Sequence, residues 1–246
     1  MAGIIAAQRG NKLGVDGVAK NVQIMAIRAV PDGDEYDKDI ARAIRYAADN
    51  GAKVINASFG KSFSPNSEWV YDALKYAEEK DVLFVHAAGN DGNNLDDSSN
   101  PNYPNDHQMK NIPEIVDNYL SVGALTSSFG PDMIASFSNY GKVNVDIFAP
   151  GANIYSTMPN DDYKYQGGTS MAAPAVAGVA AMIRSYFPEL TAAQVKQVIL
   201  ESGLSINVPV VIGGAEGKEV SLSDISKTGK IANLYNALIR AAEISK

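Results

Sequence analysis

Between residues 22 and 148, short runs of β-branched and aliphatic residues alternate with longer stretches in which apolar positions recur every three or four residues. The first pattern fits a strand buried in a sheet, and the second a helix with one apolar face. Strands are predicted at residues 22–29, 54–59, 82–87, 120–124 and 145–148, with helices at 39–50 and 66–80 between them. Gly51 stops the first of those helices, and Lys80 with Asp81 ends the second. Strand–helix–strand units of this kind cross over right-handedly and stack their strands in parallel. The expected fold is therefore α/β, with a mostly parallel sheet between two layers of helices.

The second half has a different rhythm. Asn- and Asp-rich loops at 91–106 and 159–165 precede helices at 170–187, 191–202 and 231–244. Residues 206–226 mix Gly213 and Gly214 with alternating Val and Ser, the pattern of a surface excursion folded as a hairpin. No repeat or linker divides the chain, so a single domain over residues 1–246 is expected. The longest apolar stretch, 171–187, is broken by Pro174 and Gly178 and carries Arg184, which marks a buried helix rather than a membrane span.

Composition narrows the function. A net charge of −7 with no basic block gives nucleic-acid binding no electrostatic support. With no Cys and two His, thiol catalysis, disulfides and Cys- or His-based metal centres fall away together, and no cofactor is expected. The Asn- and Asp-rich stretch 91–97 has side chains of the kind that hold calcium, but its spacing matches no known ligand loop, so turn chemistry is its expected role. Residues 1–8 are short and lack a basic leader, so they are not expected to act as a signal peptide.

In an open parallel sheet the ligand cleft lies beyond the carboxyl ends of the strands. Three elements gather there. Gly167, Gly168, Thr169 and Ser170 open a long apolar helix, where unpaired N–H groups and partial positive charge favour a developing alkoxide or oxyanion. Taken alone, Thr169 or Ser170 would be read as a helix cap. Ala88, Gly89 and Asn90 follow the strand at 82–87. There an amide side chain either makes a turn or donates to an oxyanion opposite a nucleophile. Ser58, Phe59 and Gly60 end the strand at 54–59 and offer a backbone edge to an extended peptide.

These elements, in this order and spacing, resemble the subtilisin-like serine peptidases, the subtilase family. The run from Gly168 to Pro174 reproduces the family's Gly-Thr-Ser-Met-Ala-x-Pro nucleophile motif, and Ala88-Gly89-Asn90 is similar to its oxyanion segment. Ser58-Phe59-Gly60 is similar to its substrate-pairing Ser-Leu-Gly, and the runs at 134–139, 145–151 and 154–157 agree as well. The resemblance implies a serine endopeptidase in which Ser170 attacks a peptide carbonyl and the Asn90 amide and Ser170 N–H hold the oxyanion. Ser58, Phe59, Gly60, Ala88, Gly89 and Thr169 would line the bound peptide. It also implies a protein or peptide substrate and, from the habits of the bacterial members, export.

The family orders its triad Asp, His, Ser along the chain. Its His-Gly-Thr-His-Val-Ala-Gly helix is matched only from the Val-Ala-Gly end, by Met1-Ala2-Gly3, so the catalytic His and the earlier Asp strand have no counterpart in this sequence. Neither His86, expected partly buried on a strand, nor His107, expected in a solvated loop, fits the role. The sequence as it stands is therefore expected to be nearly inactive and to lack the family's first strands. Without the Asp strand, the sheet is expected either to close up, bringing 22–29 against 54–59, or to admit a second chain. Two other functions fit part of the pattern: a peptide-binding pseudopeptidase, and a structural or adhesion domain.

Overall fold

A computed structural model describes residues 1–106, 113–212 and 217–246. Along the chain come α1 (Ala2–Ala6), α2 (Asp37–Asp49), β1 (Val54–Ala57), α3 (Ser67–Glu79), β2 (Leu83–Ala87) and β3 (Tyr119–Leu125). There follow β4 (Ile147–Pro150), β5 (Ile154–Met158), β6 (Asp162–Gln166), α4 (Thr169–Tyr186), α5 (Ala192–Ser202) and β7 (Leu204–Ser205). The last are β8 (Val210–Ile212), β9 (Lys218–Val220), α6 (Leu222–Ile225), β10 (Lys230–Ile231) and α7 (Leu234–Ile244).

The main sheet runs β1-β2-β3-β4-β10-β7, parallel except for β7. Every residue of β2 and β3 is buried, as a sheet covered on both faces requires. Side chains alternate between the two faces. Leu83, Val85, Ala87, Leu120, Val122 and Ala124 pack with residues of α4, α5 and α7. Phe84 and Tyr119 turn the other way, among Ile40 and Ile44 of α2 and Val70, Leu74 and Ala77 of α3. The expected layers are present, and among the described residues no helix is long and apolar enough to cross a membrane.

Five expectations are corrected. Residues 22–29 form no strand: the chain there has no assigned secondary structure and is largely exposed, with Ile24 at 46%, Met25 at 41% and Ile27 at 36%. Among the described residues β1 pairs only with β2, so the anticipated closure of 22–29 onto it does not occur. Alternating β-branched residues lower the cost of an extended chain, but a strand exists only when a neighbour takes up its N–H and C=O groups. The stretch 159–165 is not all loop: Asn160 and Asp161, both at positive φ, make the turn, and residues from Asp162 on pair back with β5. The last helix starts at Leu234, because Lys230 and Ile231 join the sheet between β4 and β7. The strand expected at 145–148 lies two residues later. The excursion at 206–226 does contain a hairpin, β8 against β9, while Gly213 and Gly214 lie outside the described residues.

Candidate active site

The long helix α4 runs under the sheet and meets β1, β2, β3 and β4. Its N-terminus therefore opens at the carboxyl ends of the strands, beside the segments that leave β1 and β2. Gly168, at φ +148°, is its N-cap, and Thr169 is fully buried behind it. Pro174 stands inside this helix. Having no N–H, it cannot bond the carbonyl four residues back, which is that of Ser170. That carbonyl instead accepts from Ser58 Oγ at 3.0 Å, while Ser170 Oγ donates to Ser58 O at 3.2 Å. Asn56 Nδ2 supports Ser58 Oγ at 3.0 Å. The end of β1 and the mouth of α4 are thus tied together by two reciprocal bonds.

The segment after β2 is tied to the same point. Asn90 Oδ1 accepts from Thr169 N at 2.8 Å and from Thr169 Oγ1 at 3.0 Å, and Gly89 N donates to Thr169 Oγ1 at 3.1 Å. With its oxygen held by Thr169, the exposed Asn90 directs its Nδ2 hydrogens away from the buried threonine. Gly89 sits at φ +99°, and a Cβ there would stand 2.4 Å from Asn139 Nδ2, so only glycine fits. Asn139 holds this loop through Nδ2 to Ala88 O at 2.9 Å and through Oδ1, which accepts from Asp91 N and Asn93 N. Asn102 Nδ2 adds a bond to Ala88 O at 3.0 Å.

All eight residues singled out in the sequence therefore converge on one corner: Ser170 and Thr169 from α4, Ala88, Gly89 and Asn90 after β2, and Ser58, Phe59 and Gly60 after β1. The supporting amides Asn102 and Asn139 were not singled out. Asn139 closes the family-like run at 134–139, the one signal that pointed to it, and Asn102 left none.

The histidines stand elsewhere. His86 is 1% exposed, not partly buried as expected. Its Nε2 lies 2.7 Å from Phe59 O and its Nδ1 lies 2.8 Å from Tyr119 Oη. Both ring nitrogens are thus engaged away from Ser170, and burial pushes the imidazole down to about 4, so the ring is neutral at neutral pH. His107 lies outside the described residues. In the 91–97 stretch, Asp96 Oδ1 accepts from Val143 N, Asn144 N and Asn144 Nδ2, a loop-closing pattern that gives its lone pairs to amide donors. Among the described residues no group of three His, Cys, Asp or Glu could hold a metal ion.

Comparison with known proteins falls on the same elements. The sequence profile of the Subtilase family matches residues 1–228. The chain is 41% identical over 186 residues to the thermophilic serine proteinase of Bacillus sp. (strain AK1), covering 75% of this chain and 41% of that protein. It is 40% identical over 185 residues to thermitase of Thermoactinomyces vulgaris, covering 75% and 59%. It is 38% identical over 217 residues to the cell wall-associated protease of Bacillus subtilis, covering 88% and 22%. The chain thus spans less than two thirds of the length of each of these relatives. Among solved structures, a protease from Pseudoalteromonas arctica superposes with a TM-score of 0.78 at 28% identity, over 98% of this chain and 69% of that one. With a family profile that covers β1 to β4 and the Ser170 corner, the chain belongs to the subtilase family.

Proposed function

We propose that the chain carries the nucleophile and oxyanion half of a serine endopeptidase. The observation that supports this best is the pair of hydrogen bonds that Thr169 N and Oγ1 donate to Asn90 Oδ1, which fixes the amide with its Nδ2 directed away from the threonine, beside the Ser170 helix mouth. In this reading Ser170 Oγ forms a bond to the carbonyl carbon of a peptide and gives its proton to a base. The charged oxygen rests between Asn90 Nδ2 and Ser170 N–H. Collapse breaks the C–N bond as the amine takes up a proton, and water then releases the acyl group. Ser58 and Gly60 pair with the extended substrate, Phe59 between them lines its wall, and Ala88, Gly89 and Thr169 shape the opposite wall.

The base is the part this reading supplies from outside. Among the described residues no imidazole faces Ser170, whose hydroxyl proton goes to Ser58 O, so the serine stays protonated and weakly nucleophilic. In subtilisin itself, loss of a triad member lowers turnover by roughly four to six orders of magnitude, a range carried over to this chain. Export belongs to the same proposal, supported by the cell wall-associated relative.

A fluorophosphonate probe with mass-spectrometric readout tests both parts. The 246-residue chain is expected to label slowly at Ser170. A longer form carrying the family's Asp-x-Gly and His-Gly-Thr-His segments upstream is expected to label rapidly. Rapid stoichiometric labelling of the shorter chain would overturn the need for an outside base, and failure of the longer form to label would overturn the peptidase assignment.

A further inference from the structure

We propose that His86 is the positioning residue of the peptide-pairing edge, holding the Phe59 carbonyl inward so that Ser58 and Gly60 present their main-chain groups to the cleft. The inference rests on the peptidase reading for the identity of that edge, but on geometry for the role of His86.

Along an extended chain, successive residues turn their N–H and C=O groups to opposite sides. The segment after β1 follows this alternation. Phe59 O faces His86 Nε2 at 2.7 Å, and Lys61 exchanges main-chain bonds with Tyr103, N to O at 3.1 Å and O to N at 2.8 Å. Ser58 O faces Ser170 Oγ on the other side. Phe59 and Lys61 are therefore the inward anchors, and Gly60, between them, shares the outward side with Ser58. Lys61 is fixed further by its Nζ, 2.7 Å from Asp37 Oδ1 and 2.7 Å from Glu35 O. At Phe59 the inward anchor is an imidazole from the neighbouring strand, where His86 stands in register with Ala57.

A neutral ring has one N–H, and Phe59 O can only accept, so the hydrogen belongs on Nε2. With Nδ1 then unprotonated, the single Tyr119 hydroxyl hydrogen is shared between Nδ1 and Pro104 O, each 2.8 Å from Oη. The ring lies among Phe59 edge-on at 6.3 Å, Phe84 stacked at 6.3 Å and Tyr119 at 5.8 Å, aromatic neighbours that flank it in the orientation that sets Nε2 against Phe59 O. A histidine serving only to fill the core would need no link to the cleft, and an apolar residue would serve it better.

His86→Gln keeps a terminal N–H at about the reach of Nε2, whereas His86→Asn is one methylene too short to donate to Phe59 O. Both are measured in the 246-residue chain beside the wild type. Affinity for acetyl-tetra-alanine amide is read from the Gly60 amide shift, hydrogen exchange is read at residues 58–61, and Ser170 labelling is read with an alkyl fluorophosphonate that does not use the edge. His86→Asn is expected to weaken peptide binding about tenfold and to speed exchange at Gly60. His86→Gln is expected to stay within about threefold of the wild type, with alkyl labelling alike in all three. Equal peptide affinity and exchange in His86→Asn and the wild type would overturn the role, as would equal losses in the two variants. If His86→Asn does not fold, the wild type decides by ¹⁵N NMR, since an Nδ1–H tautomer overturns the proposal and an Nε2–H tautomer bonded to Phe59 supports it. A wild type that binds no peptide counts against the peptidase reading instead, and the exchange rates at Gly60 still decide the part played by His86.

Discussion

The Ser170 corner and the stretch 22–30 begin from similar material, short apolar runs next to small residues, and end in opposite states. At the corner, three segments far apart in sequence are bound to one another by side chain to main chain contacts that leave few polar groups free: Thr169 to Asn90, Ser58 to Ser170, Asn139 to Ala88. In the stretch 22–30, Ile24, Met25 and Ile27 are exposed and the backbone joins no ladder. Local sequence set the helix mouth because a helix satisfies its own backbone, and the corner needed only the two strands that precede it. A strand satisfies nothing by itself. The tied backbone at the corner and the unpaired backbone at 22–30 thus differ in whether hydrogen-bonding partners are supplied, not in how apolar each segment is.

The largest expected effect comes from breaking the corner at its exposed end. Asn90→Ala removes the amide donor and frees Thr169 N and Oγ1, while the core behind is untouched. In the longer, base-complete form, peptide turnover is expected to fall about a hundred- to a thousandfold, the range known for the corresponding asparagine of subtilisin and carried over from it. Thr169→Val, which keeps the backbone bond to Asn90 and loses the hydroxyl, is expected to fall far less. Equal turnover in Asn90→Ala and the unaltered protein, measured on a peptide amide, would remove Asn90 from the oxyanion site.

The same contrast explains how much was legible in the sequence. The strands at 82–87 and 120–124 were readable because their residues are buried on both faces, so hydrophobicity alone marks them. Ser170 was readable because Gly168, Pro174 and the helix between them each leave a residue-type signature. Asn102 was not readable, since an amide that bonds a carbonyl 14 residues away in sequence looks like any loop asparagine. The strand at Asp162–Gln166 was hidden by its own turn, whose Asn160 and Asp161 dominate the local composition. The two-residue strand Lys230–Ile231 has no period to detect. The mistaken strand at 22–29 is the converse error: its alternation was real and its pairing partner was not in view.

The next effect sharpens the comparison at the buried side of the corner. His86 has its folded value pushed down to about 4 by complete burial, from an ordinary value near 6.5. Between those two values the unfolded chain binds the proton and the folded chain does not, so stability supplied above pH 6.5 is lost as pH falls through about 4. Nearby Asp106 has the opposite slope: burial pushes its carboxyl up to about 6, so the folded state takes up that proton first and gains stability as pH falls. Tyr119, between the two, is held far above its usual range and does not titrate in this window. The wild-type curve is thus a sum of opposing parts, and His86→Gln separates them. The difference in urea unfolding free energy between wild type and His86→Gln is expected to move against the wild type by roughly 3 kcal/mol from pH 7 to pH 4. A difference that stays constant over this range would mean that His86 is not the buried neutral ring described.

The smallest effect is predicted for 22–30, and its smallness is the test. An Ile24→Ser, Ile27→Ser double variant removes two large apolar side chains that water already reaches and that no strand holds. Its unfolding free energy in urea at neutral pH is expected to stay within about 0.5 kcal/mol of the wild type. Buried aliphatic positions such as Leu120, fully enclosed on β3, stand at the other extreme, where truncation to alanine costs about 2–5 kcal/mol. Association of two copies through the edge of β1 that pairs with no strand among the described residues is the remaining proposal for this region, and sedimentation of the same pair addresses it. If the exposed isoleucines join such a contact, the wild type gains mass with concentration and the serine variant does not. A double variant that loses about 2 kcal/mol or more as a dilute monomer would place Ile24 and Ile27 in the core, and the contrast between a partnered corner and an unpaired segment would fail with it.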